Sequence, residues 1–184
     1  TAEIAVISLG GIVVSKSIRV AGDEMNENII QFARDEFNLL LGERTAEEVK
    51  IKIGSAFPLK DHMETKMRGR DLVTGLPKEV GVNDEQIRIA LSRSVRTIVN
   101  SIRQTIEETP PELVADIMQR GIILAGGGAL LRGIDTLISR ETLIPVHITD
   151  DPLTTVVRGC GIVLEDLEML KEVLVLTEFE KVPR

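Results

Sequence analysis

The feature that most constrains the fold of this chain is an apolar, β-branched run that stops at three consecutive glycines. Residues 122–125 are typical of a buried strand, Gly126, Gly127 and Gly128 interrupt it, and helix-forming residues follow. Because glycine has no Cβ, the backbone of such a turn can approach a phosphate or a ribose closely. A helix after the turn would add unpaired N–H groups and the positive end of its dipole. The pattern predicts either a nucleotide-binding turn or a tight turn without a ligand.

The spacing of the glycines excludes two familiar nucleotide motifs. The run lacks the G-x-G-x-x-G spacing of dinucleotide-binding turns, and no Gly-Lys-Ser/Thr follows it as in a P-loop. The glycine run alone therefore does not identify a class of nucleotide, and residues elsewhere in the chain have to do so.

Composition excludes several classes of protein. The 184 residues carry a net charge of −7, and neither Trp nor Tyr is present, so we expect no nucleic-acid partner. The single cysteine, Cys160, excludes an internal disulfide. The two histidines, His62 and His147, fall in separate strand-like segments without other ligands nearby, so no metal site is predicted.

Hydrophobic periodicity predicts an alternation of strands and helices. Capping boxes at residues 45–48, 83–86 and 109–112 predict three helix starts, with Thr45, Asn83 and Thr109 as the caps. The predicted elements are a hairpin of strands 3–9 and 12–20 around Gly10 and Gly11, a helix over 24–41 stopped by Gly42, a short helix ending near Gly54, a small surface sheet within 56–83, a helix over 84–108, a helix ending at Gly121, strands 122–125 and 145–149, and a last helix from Asp151 through Leu167 and Leu170.

This order predicts an α/β fold with a mixed sheet that is interrupted by a smaller unit. Residues 23–86 have their own helices and strands and are predicted to be an inserted subdomain, whereas residues 1–22 and 87–184 form the main subdomain. The chain begins without Met inside a strand pattern. We therefore expect it to be a piece of a longer protein.

Several strings along the whole chain resemble one family. Residues 18–25 (IRVAGDEM), 42–50 (GERTAEEVK), 109–113 (TPPEL) and 124–133 (LAGGGALLRG) are similar to the C-terminal half of the MreB family of bacterial actins. The resemblance implies an actin-like ATPase fold. Residues 1–22 and 87–184 would then be subdomain IIA, of ribonuclease H type, and residues 23–86 the inserted α+β subdomain IIB. The last helix is expected to pack on the other half of such a protein.

The resemblance also implies a nucleotide site, with ATP and Mg as the cofactors of the full-length family. The glycine turn matches the family's adenosine motif, and the helix that contains residues 47–50 matches the segment that contacts ribose and adenine. From the residues alone, Glu48 is equally explained as the closing residue of a capping box. The implied binding residues are Glu47, Glu48, Lys50, Gly126, Gly127, Gly128 and Ala129.

We assign no catalytic residue and no metal ligand to this chain. The family's first phosphate loop and its water-activating acid lie in the other half, and only Thr1 matches the end of the second phosphate loop. Because phosphoryl transfer depends on positioning and metal-assisted charge stabilisation, we expect the isolated chain to be inactive.

Family members form head-to-tail filaments in the cytoplasm, at the inner face of the cell membrane, and guide peptidoglycan elongation with membrane proteins of the elongation machinery. The resemblance implies the same partners here, with membrane contact through the part of the protein outside this chain. Residues 61–82 are expected to form the tip that meets the next subunit. Two alternatives remain: half of another actin-superfamily ATPase, of chaperone or sugar kinase type, or a docking module that does not depend on nucleotide.

Overall fold

The computed structural model describes residues 1–165 as a mixed α/β structure. Seven strands and six α-helices alternate within that range, as the sequence predicts. The strands are β1 (Ala2–Ser8), β2 (Gly11–Ile18), β3 (Leu39–Leu40), β4 (Glu64–Asp71), β5 (Pro77–Asn83), β6 (Ile122–Leu124) and β7 (Val146–Ile148). The helices are α1 (Gly22–Phe37), α2 (Glu43–Ile53), α3 (Asp84–Glu107), α4 (Pro111–Arg120), α5 (Ile134–Thr142) and α6 (Thr155–Glu165), with a short 3₁₀ helix at Gly127–Leu130.

The predicted N-terminal hairpin is confirmed, but its turn lies one residue earlier than the two glycines indicate. β1 and β2 pair antiparallel, and Leu9 and Gly10 both adopt positive φ, 51° and 80°. Two positive φ angles give the turn the twist that matches the flanking strands. Leu9 is an unusual residue in this conformation, because a Cβ there is sterically unfavourable.

α1 ends earlier than predicted, because Asn38 adopts the left-handed conformation (φ 50°) and terminates it. Asn tolerates this conformation better than most residues. The apolar residues that follow leave the helix, and two of them form β3, which pairs with β4. Gly42 is consequently the N-cap of α2 and not the stop of α1.

Of the three predicted capping boxes, the structure contains one. Asn83 and Gln86 exchange both hydrogen bonds at the start of α3, at 2.9 and 3.0 Å. The prediction at Thr45 is wrong, because α2 already starts at Glu43. The prediction at Thr109 is also wrong: its hydroxyl donates back to the Thr105 carbonyl at 2.7 Å. A capping pattern fails where the helix has already begun before the cap residue, as at Thr45. It also fails where the side chain of the cap residue bonds to the end of the preceding helix, as at Thr109.

The strands form three separate sheets among residues 1–165, where a mixed sheet was predicted. β1–β2 is an antiparallel hairpin, β3–β4–β5 is an antiparallel sheet, and β6–β7 is a parallel pair. The first and third sheets are joined through side chains, since Ile4, Ile122 and Val146 all pack against the same core.

α3 is the element that the other parts share. Its 24 residues span about 36 Å. Near its middle, Ser94 is hydrogen-bonded to Asn28 of α1, and near its C-terminus Gln104 accepts a hydrogen bond from Lys16 of β2 at 2.8 Å. The predicted apolar seam is confirmed at Ile87, Leu91, Val95 and Ile102, whereas Ile98 and Ile106 are half-buried and Val99 lies in the core.

The last helix is shorter in the described range than predicted. α6 starts at Thr155, four residues after Asp151, and no side chain of α6 is buried. Leu167 and Leu170 lie outside the described residues. No helix within residues 1–165 is long and apolar enough to cross a membrane. Packing of this helix on another half of the protein stays a prediction.

We expect Leu91→Ala to destabilise the fold by about 2–5 kcal/mol, because it leaves a cavity in the α3 seam. Leu91 is fully buried, whereas Ile89 on the same helix is 61% exposed. Ile89→Ala is the matched control and should change the free energy of unfolding by less than about 0.5 kcal/mol. Urea unfolding followed by circular dichroism measures both, and equal effects would contradict the position of α3.

Candidate functional site

The glycine turn lies between β6 and a 3₁₀ helix. Gly126 adopts φ 83° and ends the extended backbone, and its N–H donates to the Pro152 carbonyl at 2.7 Å. The Ala129 N–H donates to the Gly126 carbonyl at 3.1 Å, and Ala129 itself is buried. The turn is therefore fixed on one side by the loop after β7 and on the other by its own backbone.

The helix predicted directly after the glycines is a 3₁₀ turn, and the α-helix begins only at Ile134. Gly133 precedes that helix with φ 72°, and a Cβ on Gly133 would lie 2.7 Å from the Phe57 Cβ. Glycine is therefore required at position 133, both by its positive φ and by the close approach of Phe57. The helix-dipole part of the sequence argument is weakened by the late start of α5, while close backbone approach at the glycines still applies.

The three glycines of the turn differ in whether the fold would accept a side chain at their position. Only Gly126 has a backbone conformation that disfavours a side chain. A Cβ on Gly127 would meet Leu153 at an ordinary 3.5 Å, and a Cβ on Gly128 would meet nothing within 4 Å. Both glycines are exposed. The fold alone therefore does not require glycine at 127 and 128.

The structure places the C-terminal end of α2 next to the loop that follows the glycine turn. Ser55, just after α2, forms a parallel β-bridge with Arg132, just after the glycine turn. The Ala56 N–H donates to the Arg132 carbonyl at 2.8 Å, and the Arg132 guanidinium donates to the Ile51 carbonyl of α2 at 2.9 Å. Arg132 thus joins the C-terminal end of α2 to the loop that follows the turn. Sequence reasoning missed Arg132, since nothing local in the sequence links residues 80 positions apart.

Lys50 and Glu48 have different environments on α2. The Lys50 ammonium donates to the Gly22 carbonyl at 3.0 Å and is half-buried. Glu47 is exposed and lies on the same helix face as Lys50, because residues three apart are neighbours on a helix. Glu48 is exposed and pairs with Arg44 at 3.0 Å, in place of the predicted capping role. Of the three, Lys50 contacts the start of α1 at Gly22, and Glu47 lies one helical turn before Lys50 on the same face.

A cavity of about 270 Å³ opens beside the loop that holds the glycine turn. The loop is connected to both strands, because the Thr149 N–H donates to the Leu124 carbonyl at 3.1 Å. Residues 1–165 contain no group of three or more His, Cys, Asp or Glu side chains that could hold a metal ion. The cavity is lined by Ile148, Thr149, Asp150, Asp151, Thr155 and Arg158.

The arrangement of these elements is the actin-like fold. MamK in a double helical filament superposes with a TM-score of 0.71 at 22% identity, over 83% of this chain and 46% of that chain, and shows the fold alone. MreB 5 of Spiroplasma citri bound to AMPPNP superposes with a TM-score of 0.87 at 39% identity, over 93% of this chain and 51% of that chain.

The chain belongs to the MreB/Mbl family, whose model matches residues 1–172. It is 46% identical over 170 residues to the cell shape-determining protein Mbl of Bacillus subtilis, covering 92% of this chain and 51% of that protein. It is also 46% identical over 169 residues to the cell shape-determining protein MreB of Escherichia coli, covering 92% of this chain and 49% of that protein. The chain spans about half the length of these relatives. The family excludes the chaperone and sugar kinase alternatives.

We expect the glycines of the turn to respond differently to alanine. Gly126→Ala should destabilise the protein by about 1–2 kcal/mol, because it places a Cβ at φ 83° and ψ 171°, a backbone region that is nearly restricted to glycine. Gly128→Ala should leave the free energy of unfolding unchanged or raise it by up to about 1 kcal/mol, because it restricts the unfolded chain. Thermal unfolding without nucleotide measures both. A large loss for Gly128→Ala would show that the glycine is needed by the fold itself.

Proposed function

We propose that this chain is the part of an MreB-type filament protein that holds the adenosine side of ATP. The observation that carries the proposal is the pair Gly127 and Gly128, exposed glycines that the backbone does not require. Absence of a Cβ at both positions leaves room for a ligand against the main chain. Arg132 holds α2 to this turn, so Glu47 and Lys50 can contribute polar groups to the same ligand.

The relatives support this proposal. Structures of MreB 5 of Spiroplasma citri are bound to AMPPNP and to ADP, and that protein covers 93% of this chain at 39% identity. We propose the same class of ligand here, with Mg accompanying the phosphates. No residue of this chain is assigned to the phosphates, to Mg or to catalysis.

In the protein at its native length, we expect Gly128→Val to weaken ATP binding by at least about tenfold, equivalent to 1.4 kcal/mol. The reason is steric, since the branched side chain would fill the space above the turn. Isothermal titration of ATP measures the effect. The thermal midpoint without nucleotide should not change.

Gly81→Val is the matched control, because a Cβ on Gly81 in β5 also meets nothing within 4 Å and Gly81 lies in a different sheet. It should leave both ATP affinity and stability unchanged. Normal ATP affinity in Gly128→Val would overturn the proposed site at the glycine turn.

We further propose that the protein assembles head to tail through two exposed apolar turns. The first, the tip, is residues 72–76 between β4 and β5. Val73 is 80% exposed and Leu76 64%. The turn is rigid: the Asp71 carboxylate pairs with Lys78 at 2.9 Å and accepts from the Thr74 and Val73 N–H groups, and these contacts hold the pKa of Asp71 well below its usual range. Asp71 therefore stays ionised well below neutral pH, and the contacts that fix the turn are kept there.

The second turn, the base, is residues 7–13 of the N-terminal hairpin. Leu9 is fully exposed and has a positive φ. Exposure of its apolar side chain to water and the steric crowding of its Cβ both lower the stability of the free chain. Ile7 and Ile12 are also largely exposed, at 66% and 49%. A residue that costs stability in the free chain is explained when a partner covers it.

The tip and the base belong to elements that are attached at opposite ends of α3. β5 leads directly into the N-terminus of α3, and β3, which is paired with the end of β4 next to the tip, follows α1. Lys16 of the hairpin contacts Gln104 near the other end of α3. A contact between two different patches of the same chain is heterologous, and where it does not close into a ring it propagates into a filament.

The charged residues of β4 are a poorer candidate for this contact than the sequence indicates. Lys66 and Arg68 both pair with Glu79 of β5 at 2.6 Å. Reversing their charges would place three acids side by side and disturb the sheet itself. The apolar tip therefore provides the cleaner test.

We expect Val73→Asp to reduce the ATP-dependent pelleting of the protein at its native length, because it buries a carboxylate in the proposed contact. ATP affinity and the thermal midpoint should be unchanged. Ile89→Asp is the matched control, since Ile89 is exposed on α3 away from both turns. Full pelleting of Val73→Asp would place the longitudinal contact elsewhere.

The cellular role that we propose follows from the family. Its members named above are cell shape-determining proteins. We propose that this protein acts in the same way, as a cytoplasmic filament at the inner face of the membrane, together with membrane proteins of cell elongation and with membrane contact outside this chain. A nucleotide-independent docking module is the alternative that the ATP titration tests.

A further inference from the structure

A groove lies between α3 and α5, and none of its lining residues belongs to the glycine turn, the tip or the base. It has a volume of about 330 Å³, within the range of ligand pockets. The lining residues of α3 run from Arg88 to Asn100, which corresponds to three helical turns and about 18 Å. Leu137 and Glu141 of α5 form the opposite wall, and Ala56 of the loop after α2 closes one end.

The floor of the groove is apolar and its rim is polar. Val95 and Val99 belong to the core and reach the groove only at its bottom, and Leu137 packs beside them. Ser92, Arg96 and Asn100 line the rim. An apolar floor with a polar rim is the pattern of a surface that receives apolar side chains from a polar partner segment.

The charge along α3 is opposite to that of the chain. Residues 87–104 contain four arginines and no Asp or Glu, although the chain has a net charge of −7. Arg88 lies 3.4 Å from Asp84, and Arg103 lies 3.6 Å from Glu141. Arg93 and Arg96 are exposed and pair with no acid among residues 1–165.

Arg96 lines the groove, and Arg93, one helical turn earlier on α3, lies next to that lining. The carboxylate in the lining, Glu141, is paired with Arg103. The guanidinium groups of Arg93 and Arg96, which pair with no acid among residues 1–165, are complementary to carboxylates.

We infer that this groove docks an acidic segment of a partner protein. The segment inserts apolar side chains onto Val95, Val99 and Leu137 and places carboxylates against Arg93 and Arg96. A planar membrane surface fits less well, because the apolar floor lies at the bottom of a groove and could not reach a flat bilayer.

The test is photocrosslinking of the native-length protein in its own cells, with a benzoylphenylalanine residue at Asn100 or, separately, at Ser92. We expect adducts with a protein segment that carries net negative charge. Arg93→Glu with Arg96→Glu should lower the adduct yield by about tenfold, because like charges then face each other across the contact. Arg93→Lys with Arg96→Lys should retain most of the yield.

The control is Lys60→Glu with Arg120→Glu, which makes the same change in net charge at two exposed positions outside the groove. It should leave the yield unchanged, and ATP-dependent pelleting should be normal in all variants. A synthetic peptide of the mapped segment should then bind the purified protein and lose binding with the paired glutamate variant. Adducts only with lipid, adducts only with a second copy, no adducts from either position, or a yield that does not depend on Arg93 and Arg96 would each overturn the proposal.

Discussion

Burial of α3 is the constraint on which the rest of the structure depends. One face of this helix receives the hairpin, another receives α1, and its N-terminus continues from the small sheet. The core of the main subdomain and the core of the insertion are therefore one cluster. The division at residues 22 and 86 stays a prediction about the sequence, since side chains on both sides of it pack together through α3. A substitution in the α3 seam consequently affects both regions.

The candidate nucleotide site depends on a second, smaller interaction. Arg132 follows the glycine turn and holds the last turn of α2 through a backbone bridge and a guanidinium hydrogen bond. Without this connection, the glycine turn and the Glu47–Lys50 face would be separate features of two subdomains. Because the connection consists mainly of backbone groups, it fixes the distance between α2 and the glycine turn and does not itself supply side chains for a ligand. Of the side chains of α2 named above, Glu48 pairs with Arg44 and Lys50 donates to the Gly22 carbonyl, whereas Glu47 is exposed.

Three surfaces of the described chain carry features that its own stability does not explain. The base has a leucine in a left-handed conformation, and the tip has exposed apolar residues on a turn fixed by Asp71. Next to the groove on α3, Arg93 and Arg96 pair with no acid among residues 1–165. The first two are apolar and belong to elements attached at opposite ends of α3, which favours contact between copies. The third is a charged, concave surface with different lining residues, so a partner there would not compete for the tip or the base.

The sequence by itself determined the features that depend on neighbouring residues. The hairpin, the Asn83 capping box, the amphipathic seam of α3 and the glycine turn all arise from local backbone preferences and helical spacing, and the family strings lie in the same segments. Only the tertiary structure decided the rest. Leu39 and Leu40 form a strand and not the end of α1, because β4 provides hydrogen-bond partners for their backbone groups. The Thr109 hydroxyl donates to the Thr105 carbonyl and does not cap α4. Long-range contacts decide which of the three glycines of the turn the fold requires. They also place Arg132 between α2 and the turn. No local sequence pattern contains these contacts.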